Sequence, residues 1–341
     1  MRCSAVAEGG APGTPIARAG LAALLLALAV GVQAAQRPAN PAVGAGLVCI
    51  SGAGLVCLDA ADLSPRWRAL EGAHTLEPVI ADGVVLVGGG AGLHAFAAAD
   101  GRPLWQWRGQ GLVFSPMVAG GTAYAADRHG RLRALDLATG APRWQRRLDG
   151  WSYPPALVGG RLVTGGQAGV VRALDPADGR TLWRRDAGQE LVYRPVAAGG
   201  RAVLTTFAGR VLAYEPDGTL AWAARDPVPS FSPAVAGPLL LFGGMDGHLR
   251  ARRVDDGAAA WELVAAGQLA VPARYHAASA QAALIDGDDR ALVVDAPAGR
   301  LLVRQSVPGR GLGSPVYRSG TGWIVFSRHD GTIAHHRVSE P

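Results

Sequence analysis

Six of the nine tryptophans stand on one period: Trp67, Trp105, Trp144, Trp183, Trp222 and Trp261 are separated by 38, 39, 39, 39 and 39 residues. Each closes a similar frame, seen clearly at 132–144 as LRALDLATGAPRW. There an apolar/polar alternation leads into Leu135 and Asp136, a Thr139–Gly140 turn follows, and the indole comes four residues after the glycine. A seventh copy, VVDAPAGRLLV, carries Val303 in place of the Trp, 42 residues after Trp261. A second register agrees with the first, because Pro78, Pro116, Pro155, Pro195, Pro233, Pro272 and Pro315 follow the Trp position by 11 or 12 residues. A repeat of this length, built from short strands with no helical periodicity, reads as the blades of a propeller.

Within one period the alternation divides into four strands. For the Trp144 unit they are 115–119, 122–126, 131–136 and 142–147, with Gly-rich or Asp-Gly turns between them. The expected fold is therefore an all-β propeller of four-stranded antiparallel blades. Residues 1–34 read as a signal peptide, with Arg18, an apolar run over 21–32 and small residues at Val32-Gln33-Ala34. Twelve apolar residues fall short of the roughly 20 that span a bilayer. Removing them leaves a propeller domain at 35–341, close to eight periods, so eight blades are expected with seven as the alternative. The last unit lacks a Trp strand, and 35–43 is expected to supply or buttress the missing outer strand and close the ring. Closure matters because an open array leaves an unpaired sheet edge.

The exported chain is expected in the periplasm, without a lipid anchor, since no Cys follows the cleavage position. Cys49 and Cys57 flank Ser51-Gly52-Ala53-Gly54 and can face each other across a hairpin. They form either a disulfide, as an oxidising compartment permits, or two buried free thiols. The net charge is +6, and every basic residue is an Arg, since the chain contains no Lys. The arginines are spread over the repeats with no nucleic-acid-binding module, so nucleic acid is not an expected partner.

The frame Ala134-x-Asp136-x-x-Thr139-Gly140-x-x-x-Trp144 resembles the quinoprotein (PQQ-like) propeller repeat, over roughly 40–338. That resemblance implies an indole docked between blades against the backbone of its own repeat's glycine and alanine. The blade count and export signal also resemble the BamB outer-membrane assembly factor family, although the lipid-bearing Cys of that family is missing. In quinoprotein dehydrogenases a PQQ lies over calcium, beside a disulfide of adjacent cysteines and an Asp base. This sequence has no Cys-Cys pair and no residue set for the calcium or the base, so the resemblance carries over the fold and not the cofactor.

The repeated acids Asp59, Asp136, Asp175, Asp295 and Glu215 lie beside turns, where a carboxylate accepts backbone N–H groups, and they do not converge on one point. His335 and His336 point to opposite faces of a strand, and His74, His94, His129, His248, His276 and His329 fall in different blades, so no metal site is expected. No catalytic or cofactor-binding residue is assigned. What remains is a surface on which, as the resemblance implies, the loops after the Trp strand lie together with those between the second and third strands. It places Glu77, Phe114, Tyr153, Tyr193, Arg194 and Phe231 beside Arg128, His129, Arg328 and His329. Aromatics mixed with arginines suit a protein-binding face. The expected function is a non-catalytic periplasmic scaffold that binds protein partners in outer-membrane or envelope assembly. The alternatives are a quinone- or small-ligand-binding redox protein using the pore, and an accessory subunit of an exported enzyme.

Overall fold

The computed structural model describes residues 40–307 apart from 232, 266, 270 and 271, together with 315–318, 323–327 and 333–337. The expected signal peptide at 1–34, and Arg328 and His329, lie outside the described residues. All the described secondary structure is strand, arranged in consecutive antiparallel sheets whose strands follow in chain order. The third sheet shows the design: Met117–Ala119, Thr122–Ala126, Arg131–Asp136 and Pro142–Arg147. Two-residue turns with both φ positive join the first two strands of several blades, as at Gly120 (54°) and Gly121 (66°). That backbone matches the twist of the strands it joins, and glycine adopts it without a Cβ penalty.

The first sheet consists of Ala42–Gly44, the extended run Leu47–Asp59 and Pro65–His74. Cys49 and Cys57 are joined by a disulfide with their Cα atoms 4.1 Å apart. Eight residues of straight strand would span roughly 27 Å. The run therefore doubles back at Gly52-Ala53-Gly54, where Gly54 has φ 125°, and contributes two strands. Among the described residues seven sheets are thus complete four-stranded blades, which corrects the expected count of eight. The eighth sheet has three described strands, Val316–Arg318, Trp323–Ser327 and Ile333–Arg337. Of the segment 35–43 expected to supply or buttress its outer strand, 35–39 lies outside the described residues and the rest does not form that strand. Ala42–Gly44 pairs instead with its own neighbour, Ala42 opposite Cys49 and Val43 opposite Val48. The reason is local: Ala45 (50°) and Gly46 (72°) both take positive φ and fold the chain straight back into a hairpin.

First strands of successive blades touch one another, as Ala42–Gly44 does Val79–Ala81, so these strands line the axis. Trp323–Ser327 of the last sheet lies against Leu47–Asp59 of the first, which brings the two ends of the array together. Middle strands such as Thr122–Ala126 are buried at every position, whereas the outer strand Pro142–Arg147 buries only Trp144. The core sits between blades. Val163, Val171 and Trp183 of the fourth pack with Ala202, Leu204 and Leu212 of the fifth.

The indoles make that packing directional. Trp144 Nε1 donates to the Pro176 carbonyl of the next blade at 2.8 Å, and a Cβ at Gly179 would stand only 2.7 Å from the ring. The same seat repeats for Trp67 on Ala98, Trp105 on Leu137, Trp183 on Pro216, Trp222 on Val254 and Trp261 on Ala296, at 2.7–3.0 Å. The glycine beneath each ring belongs to the following repeat: Gly140 lies under Trp105. This corrects the expected docking on the repeat's own glycine. The alanine of its own repeat does face the indole, since Ala134 is the ladder partner of Trp144.

Candidate functional site

Loops that leave each outer strand pair back onto the turn between the second and third strands of the blade that follows. Isolated bridges join Val113 to Asp127, Ser152 to Gly166, Leu191 to Thr206 and Ser230 to Gly244. Both loop sets therefore share one face. On it the backbone N–H groups of Phe114, Tyr153 and Phe231 donate to the carbonyls of Ala126, Gly165 and Gly243 at 2.9, 2.9 and 3.2 Å, so the three residues hold equivalent positions.

Blades three to five bring four rings together. Ring centres of Phe114 and Tyr153 are 5.7 Å apart, Trp151 lies 6.0 Å from Phe114 and 5.8 Å from Tyr153, and Tyr193 lies 5.5 Å from Tyr153. These are favourable edge-on and tilted aromatic spacings. The Tyr153 hydroxyl donates to the Val192 carbonyl at 2.9 Å, while its own carbonyl accepts from Thr164 Oγ1 at 2.6 Å. Burial is the main reason the Tyr153 hydroxyl holds its proton well above the usual tyrosine range. Tyr193 shifts the same way, first through burial and then through the negative charge of Glu77. Two guanidiniums cover the tier: Arg128 lies 5.3 Å from the Trp151 ring centre and Arg194 5.9 Å from that of Tyr193. Arg128 is exposed, Phe114, Trp151 and Tyr193 are half-buried, and Tyr153 is buried.

Glu77 sits at the axial side of this face with its side chain 12% exposed. It pairs with Arg274 at 2.8 Å and lies 3.8 Å from Arg194. Arg274 also donates to the Pro41 carbonyl at 3.3 Å, and Ser115 Oγ donates to the Glu77 carbonyl at 2.5 Å. The Glu77 carboxylate thus meets Arg194 of the loop into the fifth blade and Arg274 of the seventh, while its carbonyl accepts from Ser115 of the loop into the third and Arg274 reaches Pro41 ahead of the first. Glu77 is in this respect a tie across the ring.

Of the residues expected on the face, Phe114, Tyr153, Tyr193, Arg128 and Arg194 form the tier, and Glu77 joins it through Arg194. His129 is exposed and pins a loop, its Nδ1 donating to the Gln110 carbonyl at 2.6 Å. Phe231 is half-buried on the fifth-to-sixth connection and makes none of the ring contacts found among the described residues. Trp151 and Arg274 were missed. Trp151 breaks the 39-residue period and so carried its own signal, an indole with no role in blade docking; Arg274 looked like one more strand residue. Trp151 Nε1 is buried without a hydrogen-bond partner among the described residues.

The repeated acids serve turns. Asp136 Oδ1 accepts the Ala138 and Thr139 N–H groups at 3.1 and 3.0 Å, and its second oxygen meets Arg143 at 2.8 Å. The Arg143 hydrogen bond, above all, lowers its pKa to about 2. Asp59, Asp175 and Asp295 cap their turns in the same way, and Glu215 pairs with Arg201 at 2.6 Å. Among the described residues no three His, Cys, Asp or Glu side chains stand together as a metal site requires, and no helix is long and apolar enough to cross a membrane.

Comparison with known proteins adds a family. The model described as outer membrane protein assembly factor BamB matches residues 13–152 and 147–271. Among solved structures, BamB from Moraxella catarrhalis superposes with a TM-score of 0.67 at 17% identity, covering 87% of this chain and 95% of that one. The computationally designed Ika8 protein superposes with a TM-score of 0.74 at 13% identity, over 90% of this chain and 96% of that one. At these identities the likeness is one of fold. No curated protein matches the sequence.

Proposed function

Because this chain belongs to the family of the outer membrane protein assembly factor BamB, we propose that it is a protein-binding scaffold in outer-membrane protein assembly. In this reading it acts in the periplasm after removal of residues 1–34, without a lipid anchor, and performs no reaction of its own. The observation that supports it is the tier of Phe114, Trp151, Tyr153 and Tyr193 under Arg128 and Arg194. Interfaces concentrate their energy in such aromatic and arginine anchors, which offer large rigid area with a polar handle. No residue set for PQQ or calcium supports the quinone alternative, and titration with both is expected to leave the absorbance spectrum unchanged.

The test replaces Trp151→Ala and Arg128→Glu together in the chromosomal copy and measures the abundance of outer-membrane β-barrel proteins. Deletion of the gene and the double variant are expected to lower that abundance alike, with the variant still accumulating as folded protein. Unchanged abundance after deletion would remove the assembly role. A loss on deletion that the double variant does not share would remove the tier as the docking site.

A further inference from the structure

The outer strands of the third and fourth blades carry charge that the fold neutralises only in part, pairing Arg143 with Asp136 and Arg184 with Asp149. Pro142–Arg147 reads PRWQRR and Thr181–Asp186 reads TLWRRD, whereas the outer strands of the second and sixth blades, PLWQW and AAWELV, contain no arginine. Like charges also face each other across the ladders. Arg131 is the direct partner of Arg147, and Arg172 of Arg184, an arrangement that costs stability unless an anion intervenes. In the fourth blade the anion is present: Asp149 Oδ2 lies 2.8 Å from Arg172 and 3.3 Å from Arg184. In keeping with this, the Arg172 hydrogen bond lowers the Asp149 pKa. In the third blade it is missing, and no carboxylate lies within ion-pair distance of Arg131, Arg146 or Arg147 among the described residues.

Backbone carbonyls hold part of this array in place. Arg146 Nη1 donates to Gln145 O at 2.9 Å, Arg185 Nη1 to Arg184 O at 2.8 Å and Arg185 Nε to Gly218 O at 2.8 Å. These contacts fix the guanidiniums without cancelling their charge, and Arg146, Arg147, Arg184 and Arg185 are all exposed. The strands are the outermost of their blades, and consecutive arginines such as Arg146 and Arg147 alternate between the two faces of the sheet, so their charge is spread along the edge instead of converging on a compact ligand. Their tryptophans, Trp144 and Trp183, are seated in the next blade, which leaves this rim without the aromatic anchors of a protein interface.

We propose that the rim of the third and fourth blades, with Arg131, Arg146, Arg147, Arg184 and Arg185, binds the phosphate headgroups of an anionic bilayer surface. An extended plane of phosphates meets several guanidinium forks at once, and each cation near such a surface adds to the attraction. The rim arginines are not those of the aromatic tier, so the proposal does not rest on the scaffold reading.

The test is co-sedimentation of the purified chain with vesicles of phosphatidylethanolamine and phosphatidylglycerol, against vesicles of phosphatidylcholine alone. Binding is expected only to the anionic vesicles, and it should fall as NaCl rises from about 0.05 M to about 0.3 M. Arg146→Glu/Arg147→Glu/Arg184→Glu should weaken it at least about tenfold. Arg66→Glu/Arg68→Glu on the first blade should leave it within about twofold. Thermal midpoints of both variants, measured alongside, show that they are folded. Equal binding to neutral vesicles, no binding to either, or equal loss in the two variants would overturn the proposal. So would rim-dependent binding to polyglutamate without binding to vesicles, which would assign the rim to an acidic protein.

Discussion

At Gly179 there is no room for a methyl group. A Cβ would stand 2.7 Å from the Trp144 ring, and the residue holds φ at 72°, where L side chains are strained. Gly160→Ala provides the control, since its φ is 73° and nothing lies within 4 Å of the added carbon. Gly179→Ala is expected to lose about 2–4 kcal/mol in urea unfolding, and Gly160→Ala about 1 kcal/mol. Equal losses would mean that the indole seat yields without cost. The frame of alanine, glycine and tryptophan was legible in the sequence because its period is so regular. That same regularity hid which glycine each indole covers. In a periodic chain the repeat's own residue and the next repeat's are equivalent in pattern, and only the geometry of adjacent blades separates them.

The hairpin at Leu47–Asp59 is the element where local sequence decided most. Cys49 and Cys57 lie at opposite ends of a short turn, are both fully buried, and are bonded. Closing so small a loop stabilises the fold by about 2 kcal/mol through the unfolded chain. Replacing both with Ser is expected to cost at least that much in guanidinium unfolding, and reductant should shift the wild type and not the variant. Coincident unfolding curves for wild type, reduced wild type and variant would contradict this. Pairing across the turn was open to sequence reasoning because Ala53 centres the two cysteines. The fate of 42–44 was not, because nothing in Ala45-Gly46 announces that Ala45, a poor left-handed residue, takes φ 50° and commits that strand to the first blade. For the aromatic tier, the positions of Phe114 and Tyr153 followed from the repeat. Trp151 and Arg274 did not, the first because it stands outside the repeat pattern and the second because it looked like one more strand residue.

For the whole molecule, the sequence period implied blades, and the blades proved to be joined by indoles that reach from each of the first six repeats into the next. The tie of Glu77 to Arg194 and Arg274 adds a link across the axis that no periodic pattern contains, since it joins residues 117 and 197 positions apart. Blades linked in this way are expected to unfold together rather than one at a time, unlike an open array in which each unit depends only on its neighbours. The most direct test is Trp144→Ala followed by thermal unfolding and amide hydrogen exchange. A loss of about 3–5 kcal/mol is predicted, with faster exchange in the seventh blade at Gln281–Ile285 as well as in the fourth at Arg161–Gly165. An unchanged midpoint, or exchange that quickens only beside the missing ring, would contradict a closed array held by its indoles.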